Sequence, residues 1–280
     1  MKLLPYLVLF LLFPGFSGNA QQSPSQITII FTANLNAALD DCGCSDSTVG
    51  GLNRVKTVID SLRHQFPHAV LVDGGDFLSS YPDSNLNHTV VNIISRFDYD
   101  VMALGDQELV EGISFFKKNI VPLPVFAHNF QKPLMPPLKK MRNPVLVRDL
   151  NIITLIDPQT FDFISPQELR FTPVESSLPH KKNQISVLIL HGTIEKAVQI
   201  AHQFPEIPLI LVGHDQRKKK TVVGKTTIIS VGSEGEFVAV IQLKKEPPIL
   251  ITADFLPVTK EINPDPQINL LIQRFYDALK

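Results

Sequence analysis

Tryptophan is absent from the 280 residues, and cysteine occurs only twice, at Cys42 and Cys44. With so few cross-links available, the fold has to rest on a hydrophobic core, which roughly 260 residues are long enough to bury. Excess charge is missing as well. The 26 basic and 27 acidic residues leave a net charge of −1 and a pI near 6.7. Nucleic acid binding through bulk charge therefore has no support. No internal repeat is present, and no apolar run after the first is long enough to cross a bilayer. No Cys directly follows that first run, which argues against a lipoprotein anchor.

The first run itself, Leu3 to Phe16, follows Met1-Lys2 and leads into Gly18-Asn19-Ala20. A basic start, an apolar stretch and small residues before a break describe a secretory signal peptide, 1–20, cleaved after Ala20. The alternative, a membrane anchor, is opposed by Pro5, Pro14 and the shortness of the run. Export to a periplasm or the extracellular space, with no stable membrane span after cleavage, is the expectation. The 22 prolines cluster at 122–124, 133–137 and 247–248, as punctuation between elements.

The mature chain reads as strands alternating with helices, then a run of strands. Gln26–Thr32, 69–72, Tyr99–Leu104 and Pro124–Ala127 have strand character, with helices expected from Leu52 to Leu62, at 88–97 and at 110–118. Val145–Arg148 and Asn151–Ile156 suggest a hairpin, and Pro166–Arg170 a loop. Strands Ile185–Leu190 and Leu209–Val212 flank a helix over Ile194–His202. Strands Thr227–Val231, Gly235–Lys244 and Ile249–Leu256 precede a closing helix, Asp265–Leu279. This order predicts a layered α/β sandwich. One domain is expected over 26–260, with the helix of 261–280 packed on it.

At the centre stands Ala69-Val-Leu-Val-Asp73-Gly74-Gly75-Asp76. An apolar run breaks into two glycines that allow a sharp turn, then a carboxylate at the carboxyl end of a strand, where open α/β sheets place ligands. Three later strands end the same way, at Asp106, His191 and His214. Two carboxylates and two imidazoles gathered at one sheet edge suit a divalent transition metal.

These stretches give the chain a resemblance to a known family. Ile27–Thr32, Gly50-Gly51-Leu-Asn-Arg54, Asp73-Gly-Gly-Asp76, Tyr99-Asp100 and Leu104-Gly105-Asp106-Gln107-Glu108 carry it, with Leu190-His191, Gly213-His214 and Gly232-Ser-Glu-Gly235. In order and spacing the sequence resembles the metallophosphoesterase superfamily, specifically the catalytic domain of exported 5′-nucleotidases and UDP-sugar hydrolases. The resemblance leaves no room for the family's separate C-terminal nucleotide-binding domain. It implies an α/β/β/α sandwich, a metal-dependent phosphoric ester hydrolase and a small phosphorylated substrate.

Departures from the family pattern change the site. Asn34 and Asn36 stand where the family has an Asp and a His, and Gln216 where it has a second His. Asp106-Gln107 replaces Asn-His, so the family's catalytic His position holds Gln107. By the family pattern one ion would take Asn34, Asn36, Asp76 and Gln216, and the other Asp76, Asp106, His191 and His214. The first set is degenerate and the second complete, which implies one divalent ion per chain (Zn, Mn or similar). Asn129, after His128, falls at a family position that lines the site, and suggests a substrate contact there.

Cys42-Gly-Cys44 leaves three readings open: an inert disulfide, a redox pair or metal ligands. A non-catalytic or redox module using these thiols is accordingly the alternative function. Arg217–Lys220 reads as a solvated turn. Asn87-His-Thr89 matches the N-glycosylation acceptor pattern.

Overall fold

A computed structural model describes residues 26–40, 49–130, 145–147, 150–162, 170–178, 185–246 and 248–280. The expected signal peptide, Cys42-Gly-Cys44 and most of the expected loop at 166–170 lie outside the described residues. Within them, no helix is long and apolar enough to cross a membrane.

Two six-stranded sheets form the centre. The first contains β1 (Gln26–Thr32), β2 (Val70–Asp73), β3 (Val101–Ala103), β4 (Val125–Phe126), β11 (Phe237–Lys244) and β12 (Leu250–Pro257), in the order β12-β11-β1-β2-β3-β4. The second contains β5 (Val145–Val147), β6 (Leu150–Ile156), β7 (Ser186–Gly192), β8 (Leu209–His214), β9 (Lys218–Val223) and β10 (Thr226–Val231), in the order β5-β6-β7-β8-β10-β9. Strands β1 to β4 are parallel, as are β6, β7, β8 and β10. Their buried members read as unbroken apolar runs because both faces are covered.

Three apolar clusters show the layering. Ile29, Phe31, Val72, Ile189, Leu211 and Ile241 pack between the two sheets. Ile30 and Leu71 face the other way, onto α1 (Leu52–Gln65), α2 (Ser84–Ile94) and α5 (Pro266–Ala278). Leu188 and Ile210 pack on α4 (Ile194–Gln203). The result is the α/β/β/α sandwich expected from the sequence. Helix α5 contributes Ile268 and Ile272 to the first helical layer, and its Tyr276 hydroxyl donates to Asp40.

Three local expectations need correction. Arg217–Lys220 is not a turn: Lys218–Val223 is the edge strand β9, antiparallel to β10. Lysines suit an exposed edge because they discourage pairing with another chain, and Lys218 lies 3.6 Å from the centre of the Phe237 ring. The expected helix at 110–118 breaks into a 3₁₀ turn (Gln107–Leu109), α3 (Gly112–Phe115) and a π turn (Phe116–Ile120). The expected helix at 88–97 starts earlier, because the Asp83 side chain caps it by accepting from Leu86 N–H. Asn87 cannot serve as a glycan acceptor in the folded chain. It is fully buried, accepts from Ser79 N–H and donates to Glu111.

Candidate metal centre

The two sheets bring the carboxyl ends of β2, β3, β7 and β8 to one edge. Asp76 follows β2, Asp106 follows β3, and His191 and His214 lie at the ends of β7 and β8. One ligand atom from each of the four lies within 4.8 Å of the others. His191 Nε2 is 3.0 Å from Asp106 Oδ1 and 3.3 Å from Asp76 Oδ1. His214 Nδ1 is 3.2 Å from Asp106 Oδ1 and 3.7 Å from Asp76 Oδ2. Donors placed tetrahedrally at 2.0–2.2 Å around an ion stand about 3.4 Å apart. The four residues thus fit a single divalent cation in number, charge and spacing.

Backbone geometry makes the convergence possible. Asp76 and His214 both adopt left-handed backbone angles, φ 59° and 65°. Such conformations cost free energy for non-glycine residues and persist where the surroundings fix them. Gly75 is required in its turn: its φ is +90°, and a Cβ there would meet His191 Nδ1 at 2.8 Å. His191 Nδ1–H donates to Gly74 O at 2.8 Å. That bond leaves Nε2 facing the carboxylates, the arrangement that fixes the tautomer of metal-binding imidazoles.

Without an ion the site is a network of opposite charges. Burial pulls His191 down, but the Asp76 and Asp106 carboxylates outweigh it and raise the imidazole to about 9. Hydrogen bonds to Asp106 and Asp76 raise His214 to about 10. Burial pushes Asp106 up, yet the two imidazoles prevail and hold its carboxyl well below the usual range. Both imidazoles are therefore protonated near neutrality. A cation must displace those protons, so its affinity rises with pH.

The sign for stability is the opposite. Each raised imidazole stabilises the metal-free fold fully below its unfolded value near 6.5. That contribution is lost as pH rises through 9 to 10. The melting temperature of chelator-treated protein should fall between pH 6.5 and 10, and saturating metal should remove most of the fall. A flat profile in the metal-free protein would contradict this network.

Asn34 is fully buried and committed. Its Nδ2 donates to Asp215 O at 3.0 Å and Gly232 O at 2.9 Å, while Oδ1 accepts from His214 N–H at 2.7 Å. These bonds lock the loop after β8 in place. Asn36 donates its backbone N–H to Asp76 O, and Gln216 is exposed. Asn34 therefore has its amide engaged in the fold. In Asn34→Asp a carboxylate would face two buried carbonyls. Each lost buried hydrogen bond costs about 1–3 kcal/mol, so the variant should unfold at lower denaturant and gain no second ion. Unchanged stability together with a second bound ion would refute this role for Asn34.

Gln107 is buried and donates its backbone N–H to Asp76 Oδ1 at 3.2 Å. The buried side-chain oxygens of Gln107 and Asn36 have no hydrogen-bond partner among the described residues. Asn129 is held by the backbone: its amide donates to Ile156 O and Thr172 O and accepts from Ile156 N–H. Only limited capacity for a substrate contact remains on it.

Two buried carboxylates beside the centre went unassigned in the sequence. Asp73 accepts from Thr32 Oγ1 at 2.6 Å and Gly75 N–H at 2.8 Å, and burial raises it to about 7. Burial first and then the Asp76 charge push Glu108 up, while His191 and the N–H groups of Asp76 and Gly105 favour its ionised form. Their sequence signal was only that each stands within a strand-end motif.

No protein-family model matches the chain. A segment is similar to bovine (Bos taurus) 5′-nucleotidase, 27% identical over 103 residues, covering 32% of this chain and 17% of that protein. In structure the chain is similar to the 5′-nucleotidase precursor of Thermus thermophilus, with a TM-score of 0.77 at 19% identity, covering 91% of this chain and 59% of that one. It is also similar to the sulfate thiohydrolase SoxB of Thermus thermophilus, with a TM-score of 0.73 at 15% identity, covering 90% and 60%. The chain thus spans about three-fifths of the length of these structures. It shares the fold of these two structures.

Proposed function

We propose that this protein is an exported, 5′-nucleotidase-like phosphoric ester hydrolase acting on small phosphorylated substrates such as nucleotides. Asp76, Asp106, His191 and His214 hold one divalent ion, Zn, Mn or similar. The observation that carries the reading is the convergence of these four side chains at the strand ends of a metallophosphoesterase fold. When bound, the ion supplies Lewis-acid polarisation of a phosphoryl oxygen.

The chain's own residues set the rest. Asp76 and Asp106 offset the charge of the ion, and the Gly74 carbonyl orients His191. Gln107, at the family's catalytic His position, cannot exchange a proton near neutral pH, since an amide does not titrate there. Nucleotide esters, whose ribose leaves as an alkoxide, are therefore hydrolysed slowly, and aryl phosphates, whose leaving group departs without a proton, faster. The unpartnered oxygens of Gln107 and Asn36 are acceptors, and suit a ligand that brings hydrogen-bond donors.

Residues 1–20 as a signal peptide, 26–260 as one domain and 261–280 as its closing helix belong to the same proposal. A mature N-terminus at Gln21 in exported protein would support the first part, and retention of 1–20 would refute it. The activity is tested with Mn²⁺- or Zn²⁺-loaded protein on 4-nitrophenyl phosphate, nucleotides and phosphodiesters. Metal-dependent turnover abolished by a chelator is expected. Background rates on all of them with either metal would contradict a hydrolase.

A further inference from the structure

Glu108 is fully buried, yet it is neither one of the four converging side chains nor part of the apolar core. Its Oε2 accepts Gly105 N–H at 2.7 Å and Asp76 N–H at 3.1 Å. Its Oε1 accepts Phe77 N–H at 2.9 Å and Leu78 N–H at 3.4 Å. Four backbone donors from two separate loops converge on one carboxylate. Those loops follow β2 and β3, and they carry Asp76 and Asp106. The fit is close: a Cβ on Gly105 would meet Asp76 Oδ1 at 2.4 Å and Glu108 Oε2 at 2.7 Å.

We propose that Glu108 is a positioning residue whose carboxylate ties the two loops together and so sets the spacing of Asp76 and Asp106. The inference rests on the reading of those aspartates as metal ligands. Its chemical basis is the donor pattern. Both oxygens are used as acceptors, and each takes two N–H groups. Glutamine has the same size but turns an NH₂ group towards two of those donors, which leaves them unpaired in a buried site. Aspartate keeps both acceptors but withdraws them by about 1.5 Å, one carbon–carbon bond. Neither variant reproduces all four bonds.

The test uses Co²⁺ as the probe on the full chain, Glu108→Gln and Glu108→Asp. It records the dissociation constant, the visible spectrum of bound Co²⁺ and hydrogen exchange at the Asp76, Phe77 and Gly105 amides. In folded Glu108→Gln, the amides should lose protection and the Co²⁺ spectrum should change. Affinity should weaken by about 10–100-fold, the range for outer-shell partners of metal ligands. Glu108→Asp should fall between it and the wild type. Wild-type affinity and spectrum in folded Glu108→Gln would overturn the proposal. If that variant does not fold, wild-type affinity and amide protection in Glu108→Asp would overturn it instead. A wild-type chain that binds no Co²⁺ removes the metal centre itself, so the two failures are distinguishable.

Discussion

Gln107→His should raise the rate on alkyl phosphate monoesters by about 10²–10⁴-fold, the usual contribution of a positioned general acid. The same change should leave 4-nitrophenyl phosphate nearly unaffected. The contrast follows from the leaving group: an alkoxide must be protonated as it departs, whereas a nitrophenolate need not be. Gln107 is suited to the replacement because its backbone is already fixed to Asp76 and its side-chain oxygen is tied to no described partner. The complete ligand set does not depend on it, so the proton donor can be restored alone. The measurement is kcat/KM for both substrates in wild type and variant at one pH and one metal concentration. An equal gain on both, or none on the alkyl ester, would contradict the role assigned to this position.

Asp76→Asn should nearly abolish metal binding. Asp76, like Asp106, contacts both imidazoles, and it also accepts from the 3₁₀ turn that carries Gln107. Neutralising it removes half of the anionic charge facing the ion. The loss of affinity should exceed the roughly 10–100-fold typical of an outer-shell change. The raised proton affinity of His191 should fall as well, because the Asp76 charge is the largest influence opposing burial there. Isothermal titration with Zn²⁺ and a proton titration of the imidazoles check the two effects independently. Retained affinity in Asp76→Asn would mean that the ion sits elsewhere.

The strand-end motifs were legible in the sequence because each couples a local apolar run to a polar residue. Val70–Val72 before Asp76 and Val187–Leu190 before His191 need no knowledge of distant chain. What was not legible depends on long-range contacts. Asn34 looked like a lost ligand, and its bonds to Asp215 and Gly232 span 181 and 198 residues. Glu108 was visible only as the end of a motif, because its four donors come together when the β2 and β3 loops fold side by side. The edge strand β9 was hidden by its lysines, whose placement at a free edge is a tertiary property. The broken helix after Asp106 carries helical spacing but is interrupted by Gly112 at φ +81°. The layered fold followed from the alternation of apolar segments, which each interface cluster repeats.

The proposed hydrolase holds one divalent ion at Asp76, Asp106, His191 and His214, with the Asn34 amide engaged in the fold. Elemental analysis of the full-length protein after equilibrium dialysis against Zn²⁺ or Mn²⁺ tests it most directly. One ion per chain is expected in the wild type, with close to none in Asp76→Asn. Two tightly held ions in the wild type, or none in excess metal, would contradict it.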